Sequence, residues 1–253
     1  MRAGAPGKVR TMKASIVPLA AVVVLVAVGQ VKGMVIADED FLVDDWSHLI
    51  LYSCNFGQAT LDFTQRELSG GNPDDYQKGQ HTLEGTSSLI FDGHLFVGGG
   101  TYDPSSQAAV QSIDISYDTK TFTPPGAASG LFLKQGGVNY IHEVNSNYYT
   151  DWSTVSETGL LATDPWWYVV GSSGTSSGSP DFSATGAPME FGYYTFNWIP
   201  LVMEGLTVFD WGIDNFSVTV NPVPEPSTLI VWSLLATLGI TVGWWRRKRA
   251  ACG

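Results

Sequence analysis

The sequence predicts an all-β protein, a single jelly-roll-like β-sandwich over residues 34–221. Three observations carry this. Apolar residues recur at every second position in several short runs. Glycine and proline clusters separate those runs. Helical periodicity is almost absent between the two ends of the chain. Many short strands between Gly and Pro turns pack as two facing sheets.

In chain order, residues 60–65 place Leu61 and Phe63 on one face, and 111–117 do the same for Ile113, Ile115 and Tyr117. Further β-type runs cover 88–97, 131–135, 138–144, 166–170, 189–199 and 212–220, the last with Phe216, Val218 and Val220 on a common face. Turn chemistry falls at Gly70-Gly71-Asn72-Pro73, Asp92-Gly93, Tyr117-Asp118-Thr119-Lys120, Pro124-Pro125-Gly126 and Gly136-Gly137. The run Gly171 to Gly178 is low-complexity Gly and Ser and reads as a long loop within the domain.

Both ends read as targeting segments. Lys8, Arg10 and Lys13 precede an apolar run of 13 residues, 16–28, too short for a span and suited to the core of a signal peptide. The expected signal peptide is 1–33, with Met12 an alternative start and cleavage uncertain as far as 37; an uncleaved anchor is the alternative. Export through the Sec machinery and signal peptidase follows. At the other end, a Pro-rich stretch (222–228) precedes an apolar run of 17 residues, 229–245. At helical rise this run covers about 26 Å, enough for a thin hydrocarbon core. Trp244 and Trp245 sit at an interfacial position, and Arg246, Arg247, Lys248 and Arg249 within the tail 246–253 hold that end in the cytoplasm. The alternating Pro222, Pro224 and Pro226 favour extended backbone that cannot join the following helix. An extended strand above a membrane suits a membrane protease; an ordinary linker before a permanent anchor is the alternative.

With the ends removed, 34–221 carries four basic against 23 acidic residues, a formal charge of −19. Such a domain repels phosphate backbones, which excludes nucleic acid as a partner. Its aromatic content supplies a core and argues against disorder. Cys54 reads as a small buried apolar residue, and Cys252 lies beyond the predicted span, so topology forbids their pairing.

Val223-Pro224-Glu225-Pro226-Ser227, then an apolar span, then a basic cluster resemble the PEP-CTERM sorting domain of Gram-negative bacteria over residues 223–249. The resemblance implies recognition by an exosortase, a multi-span transpeptidase-like membrane enzyme with a Cys nucleophile. It implies Val223, Pro224, Glu225 and Pro226 as the sorting motif, anchoring in the inner membrane with the domain in the periplasm, then cleavage and passage to the cell surface or extracellular matrix. Gly71-Asn72-Pro73, the segment 112–117, Phe191-Gly192-Tyr193 and the segment 212–218 resemble exported PEP-CTERM proteins with concanavalin-like or carbohydrate-binding-module-like sandwiches.

No catalytic pattern emerges. Asp114 and Asp118 would lie roughly 13 Å apart on one strand, too far for the carboxylate pair of a glycosidase. His48, His81, His94 and His142 lack ligand spacing, so no metal or catalytic residue is expected. Asp38, Glu39, Asp40, Asp44, Asp45, Asp74, Asp75, Asp214 and Asn215 read as solvated charge, with a structural calcium ion as the alternative and no other cofactor. Trp46, Trp152, Trp166, Trp167, Trp198 and Trp211 could stack on sugar rings or fill the core, and Tyr148-Tyr149-Thr150-Asp151-Trp152 is a candidate patch. The expected function is non-catalytic polysaccharide binding by a surface or matrix protein. A polysaccharide hydrolase or lyase and a purely structural surface-layer protein are the alternatives. A row of exposed aromatics on one sheet face favours binding; two carboxylates across a groove favour an enzyme.

Overall fold

The computed structural model describes residues 33–54, 58–85, 88–124, 126–170, 174–199, 205–224 and 226–251. The predicted signal peptide up to residue 32, Glu225 and Cys252 lie outside the described residues, as does the side chain of Cys54.

Two antiparallel sheets form a β-sandwich. The described strands are β1 (Met34–Asp38), β2 (Trp46–Cys54), β3 (Gln58–Glu67), β4 (Tyr76–Glu84), β5 (Leu89–Phe96), β6 (Val110–Thr123), β7 (Ala128–Gln135), β8 (Val138–Asn145), β9 (Ser153–Leu160), β10 (Trp167–Val169), β11 (Thr175–Ser177), β12 (Met189–Trp198) and β13 (Leu206–Pro222). A one-turn helix, α1 (Pro104–Gln107), is capped by the Asp103 carboxylate accepting from Ser105 N. The first sheet runs β3-β4-β13-β6-β9, with β1 also paired to β13; the second runs β11-β10-β8-β7-β12-β5-β2.

β13 organises the first sheet. Trp211 and Ile213 point inward, and the register shifts between Asp214 and Ser217. That bulge, with Asn215 at φ 50°, resets the alternation so that Phe216, Val218 and Val220 also face the core. They meet Ile113, Ile115 and Tyr117 of β6 and, from the second sheet, Leu131, Leu133, Phe191, Tyr193, Trp46 and Phe96. Each such side chain contributes roughly 1.5–3 kcal/mol by leaving water. The second sheet is apolar on both faces. Phe132, between Leu131 and Leu133, turns outward and is fully buried against Ile141, Tyr194, Leu95 and Leu51.

Several sequence expectations are corrected. Asp92-Gly93 is not a turn but lies within β5, and 117–120 lie within β6. The Gly and Ser run is not one loop, since Thr175–Ser177 pairs with Trp167–Val169 as a hairpin. The sandwich extends past 221: Pro222 pairs with Val110, and Val223 N donates to Ala109 O. Pro226 does not stay extended; it opens helix α2 (Pro226–Ala251), because a first-turn proline has no amide hydrogen to lose.

Within α2, Thr237 Oγ1 and Thr241 Oγ1 donate to backbone carbonyls at Ser233 and Leu238, so these hydroxyls need no outside partner. Among the described residues no helix is long and apolar enough to cross a membrane. The side chains at 226–231, 245–246 and 248–251 lie outside that description.

Candidate functional site

The outward face of the seven-stranded sheet assembles aromatic side chains from strands distant in sequence. Phe91 of β5 and Phe196 of β12 are register partners, and their rings stack with centroids 4.3 Å apart. Tyr194 lies two residues before Phe196 on the same face. Its cross-strand neighbours are Gly93 and Gly130. A Cβ at Gly130 would stand 2.8 Å from Tyr194 Cε1, so the phenol ring lies across a strand that has no side chain there. Across β8, Ile141 pairs with Phe132 on one side and with Trp167 on the other, which brings the indole to the same face.

Two hollows adjoin this face, the larger reaching past its end to Asn197 and to Phe209 of the first sheet. One, of about 130 Å³, is lined by Phe91, Ile141, Glu143, Trp167, Thr175, Tyr194 and Phe196. The other, of about 260 Å³, also takes in Glu143 and Phe196 and adds Tyr148 and Trp198 among its walls. Trp198 is 52% and Tyr148 60% exposed. Glu143 is the one carboxylate among the described residues lining either hollow. Burial, and secondarily Glu143, push the Tyr194 hydroxyl well above its usual range, so it stays protonated as a donor and acceptor.

The aromatic residues singled out in the sequence divide. Trp46, Trp166 and Trp211 are core residues. The 148–152 patch is not one surface. Tyr148 joins the larger hollow, Tyr149 packs on the core, and Trp152 crosses to the first sheet. There Trp152, Phe122 and Tyr76 converge over Gly212, with Lys78 and Lys120 above the Phe122 ring at 5.2 and 5.4 Å.

The acidic residues gather only in part. Glu39, Asp40, Asp74, Asp75 and Asp214 line a hollow of about 390 Å³. Their neighbours already receive donors. Asp214 accepts from Asn72 N and Asn215 N, and Asp118 from Thr154 Oγ1, Asn72 Nδ2 and Asn215 Nδ2. Burial, with Asp118 and Asp75 nearby, raises Asp214 despite those amides. Asp38 serves its own turn, accepting from Trp46 Nε1, Asp40 N and Phe41 N. Asp114 accepts from Gly159 N and Asn221 Nδ2. Arg66 pairs with Asp75.

The histidines give the feature that sequence spacing missed. His48 Nδ1 lies 2.8 Å from His94 Nδ1, 46 residues away in the chain. His94 Nε2 is 2.8 Å and His81 Nε2 3.7 Å from Asp92 Oδ2, all three residues fully buried. Burial alone would raise the Asp92 carboxyl, but the His94 and His81 rings outweigh it and hold it well below its usual range. His48 is exposed overall, yet desolvation of its side facing His94, and then His94 itself, lower it to about 4 against the pull of Asp92. His142 is separate. Its ring nitrogens lie 3.0 Å from Pro165 O and 3.2 Å from Glu157 Oε2.

The fold is similar to solved carbohydrate-binding modules. The family 11 module of the cellulosomal cellulase Lic26A-Cel5E of Clostridium thermocellum is 15% identical, with 79% of this chain and 98% of that chain covered and a TM-score of 0.39. The family 30 module of the cellulase Cel9D-Cel44B of the same organism is 10% identical, with 73% and 96% covered and a TM-score of 0.36. The xylan-binding module of Xyn10C from Paenibacillus barcinonensis is 11% identical, with 70% and 97% covered and a TM-score of 0.31. Likenesses this distant carry no argument about what this chain binds. No family model and no curated protein matches the chain.

Of the sorting motif, Val223 and Pro224 are exposed after β13, Pro226 begins α2, and Glu225 lies outside the described residues. Arg247 is exposed on α2, and the side chains of Arg246, Lys248 and Arg249 are not among those described.

Proposed function

We propose that the sandwich binds polysaccharide on the outward face of its seven-stranded sheet, without catalysis. The observation that carries this is the run of Phe91, Phe196, Trp167, Tyr148 and Trp198 along two adjoining hollows. Sugar rings present apolar C–H surfaces that stack on aromatic faces, and their hydroxyls need a few polar partners at the edge. Glu143 supplies an acceptor there. One carboxylate in an acidic domain disfavours polyanions, so the ligand class is neutral glycan. Glycoside hydrolysis by the usual route needs a second carboxyl across the scissile bond, and the described walls of these hollows offer Glu143 alone.

The route to the ligand is part of the same proposal. The signal peptide exports the chain, and α2 spans the inner membrane with its basic end in the cytoplasm. The Val223, Pro224, Glu225 and Pro226 motif is processed by an exosortase-like protease, releasing the sandwich to the cell surface or extracellular matrix. Supporting this, the exposed apolar residues of α2 include Trp232, Leu234, Leu235, Leu238, Ile240 and Val242, which surround the helix rather than forming one stripe. Supporting cleavage before Met34 rather than after Ala37, β1 pairs along its whole length with β13 and buries Ile36, so the later cut would remove a strand.

The test is affinity electrophoresis of the purified protein against neutral glucans, xylans and mannans beside anionic alginate and pectate. Retardation by a neutral polymer is expected. Retardation by the polyanions alone, or by none, would overturn the reading, and glycan shortening on incubation would favour the hydrolase.

A further inference from the structure

β2 is an outer strand of its sheet, and it pairs His48 directly with His94 of β5. Strand periodicity puts Asp92 on the same inward face as His94, two residues away. The two imidazoles meet edge to face at 86°, with their Nδ1 atoms 2.8 Å apart. One ligand atom from each of His48, Asp92 and His94 lies within 4.8 Å of the others.

Asp92 leaves capacity for a cation beyond its two histidine neighbours. It is fully buried, yet neither carboxylate oxygen has an aligned hydrogen bond, and His94 Nε2 and His81 Nε2 are equally without one. The 2.8 Å approach of His94 Nε2 to Oδ2 is thus close without being directed as a hydrogen bond. Buried carboxylates in folded proteins are paired, protonated or bound to metal. His81 does not use that capacity up. Its Nδ1 faces Asn197 Oδ1 at 2.6 Å, and Asn197 Nδ2 donates to Gly126 O, which fixes the amide. With Nδ1 turned to Asn197, His81 presents Nε2 to Asp92 at 3.7 Å without an aligned hydrogen bond.

We propose that His48, Asp92 and His94 form a binding site for a divalent transition-metal ion of the zinc class, at the edge of the seven-stranded sheet. Two imidazoles and a carboxylate are a donor set such ions take, with metal–ligand distances of about 2.0–2.2 Å. Tetrahedral ligands at that radius stand about 3.4 Å apart. The 2.8 Å contacts of His94 are made by different ring nitrogens, Nδ1 to His48 and Nε2 to Asp92, so an ion held by Nε2 and Asp92 needs the exposed His48 ring to swing toward it. His48 is exposed, which provides entry from solvent and room for water as a further ligand. His94 is held for the role. Its ring stacks on Tyr193 at 4.4 Å and 15° and meets Trp211 edge-on at 5.3 Å. None of His48, Asp92 and His94 lines either aromatic hollow, so the site is tested independently of glycan binding.

The test is titration of the purified, chelator-treated protein with Zn²⁺ and with Co²⁺. One ion per chain is expected, with the intense visible absorption of low-coordinate Co²⁺ and a Tm rise of about 5–10 °C at a hundredfold excess over Kd. His48→Ala leaves the buried residues in place and is expected to fold, to lose the Co²⁺ spectrum and to weaken binding at least tenfold. His94→Ala can fail to fold, so His48→Ala is the deciding variant. Wild-type protein that gives no Co²⁺ spectrum, or metal binding unchanged in His48→Ala, would overturn the proposal, as would a Tm rise with Ca²⁺ but not Zn²⁺.

Discussion

Replacing Trp198 by alanine is expected to weaken glycan binding while leaving the fold intact. Trp198 ends β12 and is 52% exposed beside the larger hollow. A tryptophan side chain presents up to about 250 Å², so about 130 Å² remains available to a ligand. A sugar stacked on one ring face covers about half of that. At about 25 cal/mol per Å², the lost burial is about 1.6 kcal/mol, or about 15-fold in Kd. The stability cost is expected to stay below about 1 kcal/mol, since half the side chain already faces water. Isothermal titration calorimetry on the best-retarded neutral glycan, with thermal unfolding in parallel, reads both quantities. A Kd within twofold of wild type at unchanged Tm would refute the placement of the ligand on this face.

Three further predictions rest on other parts of the molecule. Tyr117, Tyr193 and Tyr194 are raised above the usual phenol range, by burial first. A raised folded-state pKa contributes stability that is complete below the unfolded value of about 10 and lost as pH climbs beyond it. Ultraviolet titration should therefore show these three ionising only as the protein unfolds; reversible ionisation with circular dichroism unchanged would contradict their burial. Gly79→Ala should destabilise by about 1–3 kcal/mol in urea, because its Cβ would stand 2.1 Å from Cζ2 of the buried Trp211 ring; a loss under about 0.5 kcal/mol would mean the indole does not lie on that strand. Replacing Pro224, Glu225 and Pro226 together by alanine should trap an uncut membrane form in cell fractionation, and unchanged processing would rule out the sorting role.

Much of the sheet structure was legible as short apolar runs bounded by turn residues. Residues 189–199 and 88–97 match β12 and β5 within a residue or two, and Gly136-Gly137 is the turn joining β7 to β8. β4 was not legible because its inward residues Gln77, Gly79 and His81 are polar or lack a side chain, and Leu83 alone on that face makes no apolar alternation. β9 has only Val155 and Leu160 buried, too sparse a signal. Asp92-Gly93 carries turn chemistry locally, yet pairing on both sides holds it in a strand. Tertiary pairing overrides local propensity there.

The sequence by itself determined the quantities that local chemistry decides. These are an acidic, aromatic-rich domain of short strands and two terminal segments of the composition that targeting signals use. Only the tertiary structure decided which aromatics reach solvent. Leu131, Phe132 and Leu133 are consecutive and all fully buried, so alternation could not name the outward face of the second sheet. The histidine cluster was equally invisible, because His48 and His94 become neighbours through the register of β2 on β5. Strand pairing is set by the whole sandwich core, and it brings together donor atoms that no spacing along the chain announces.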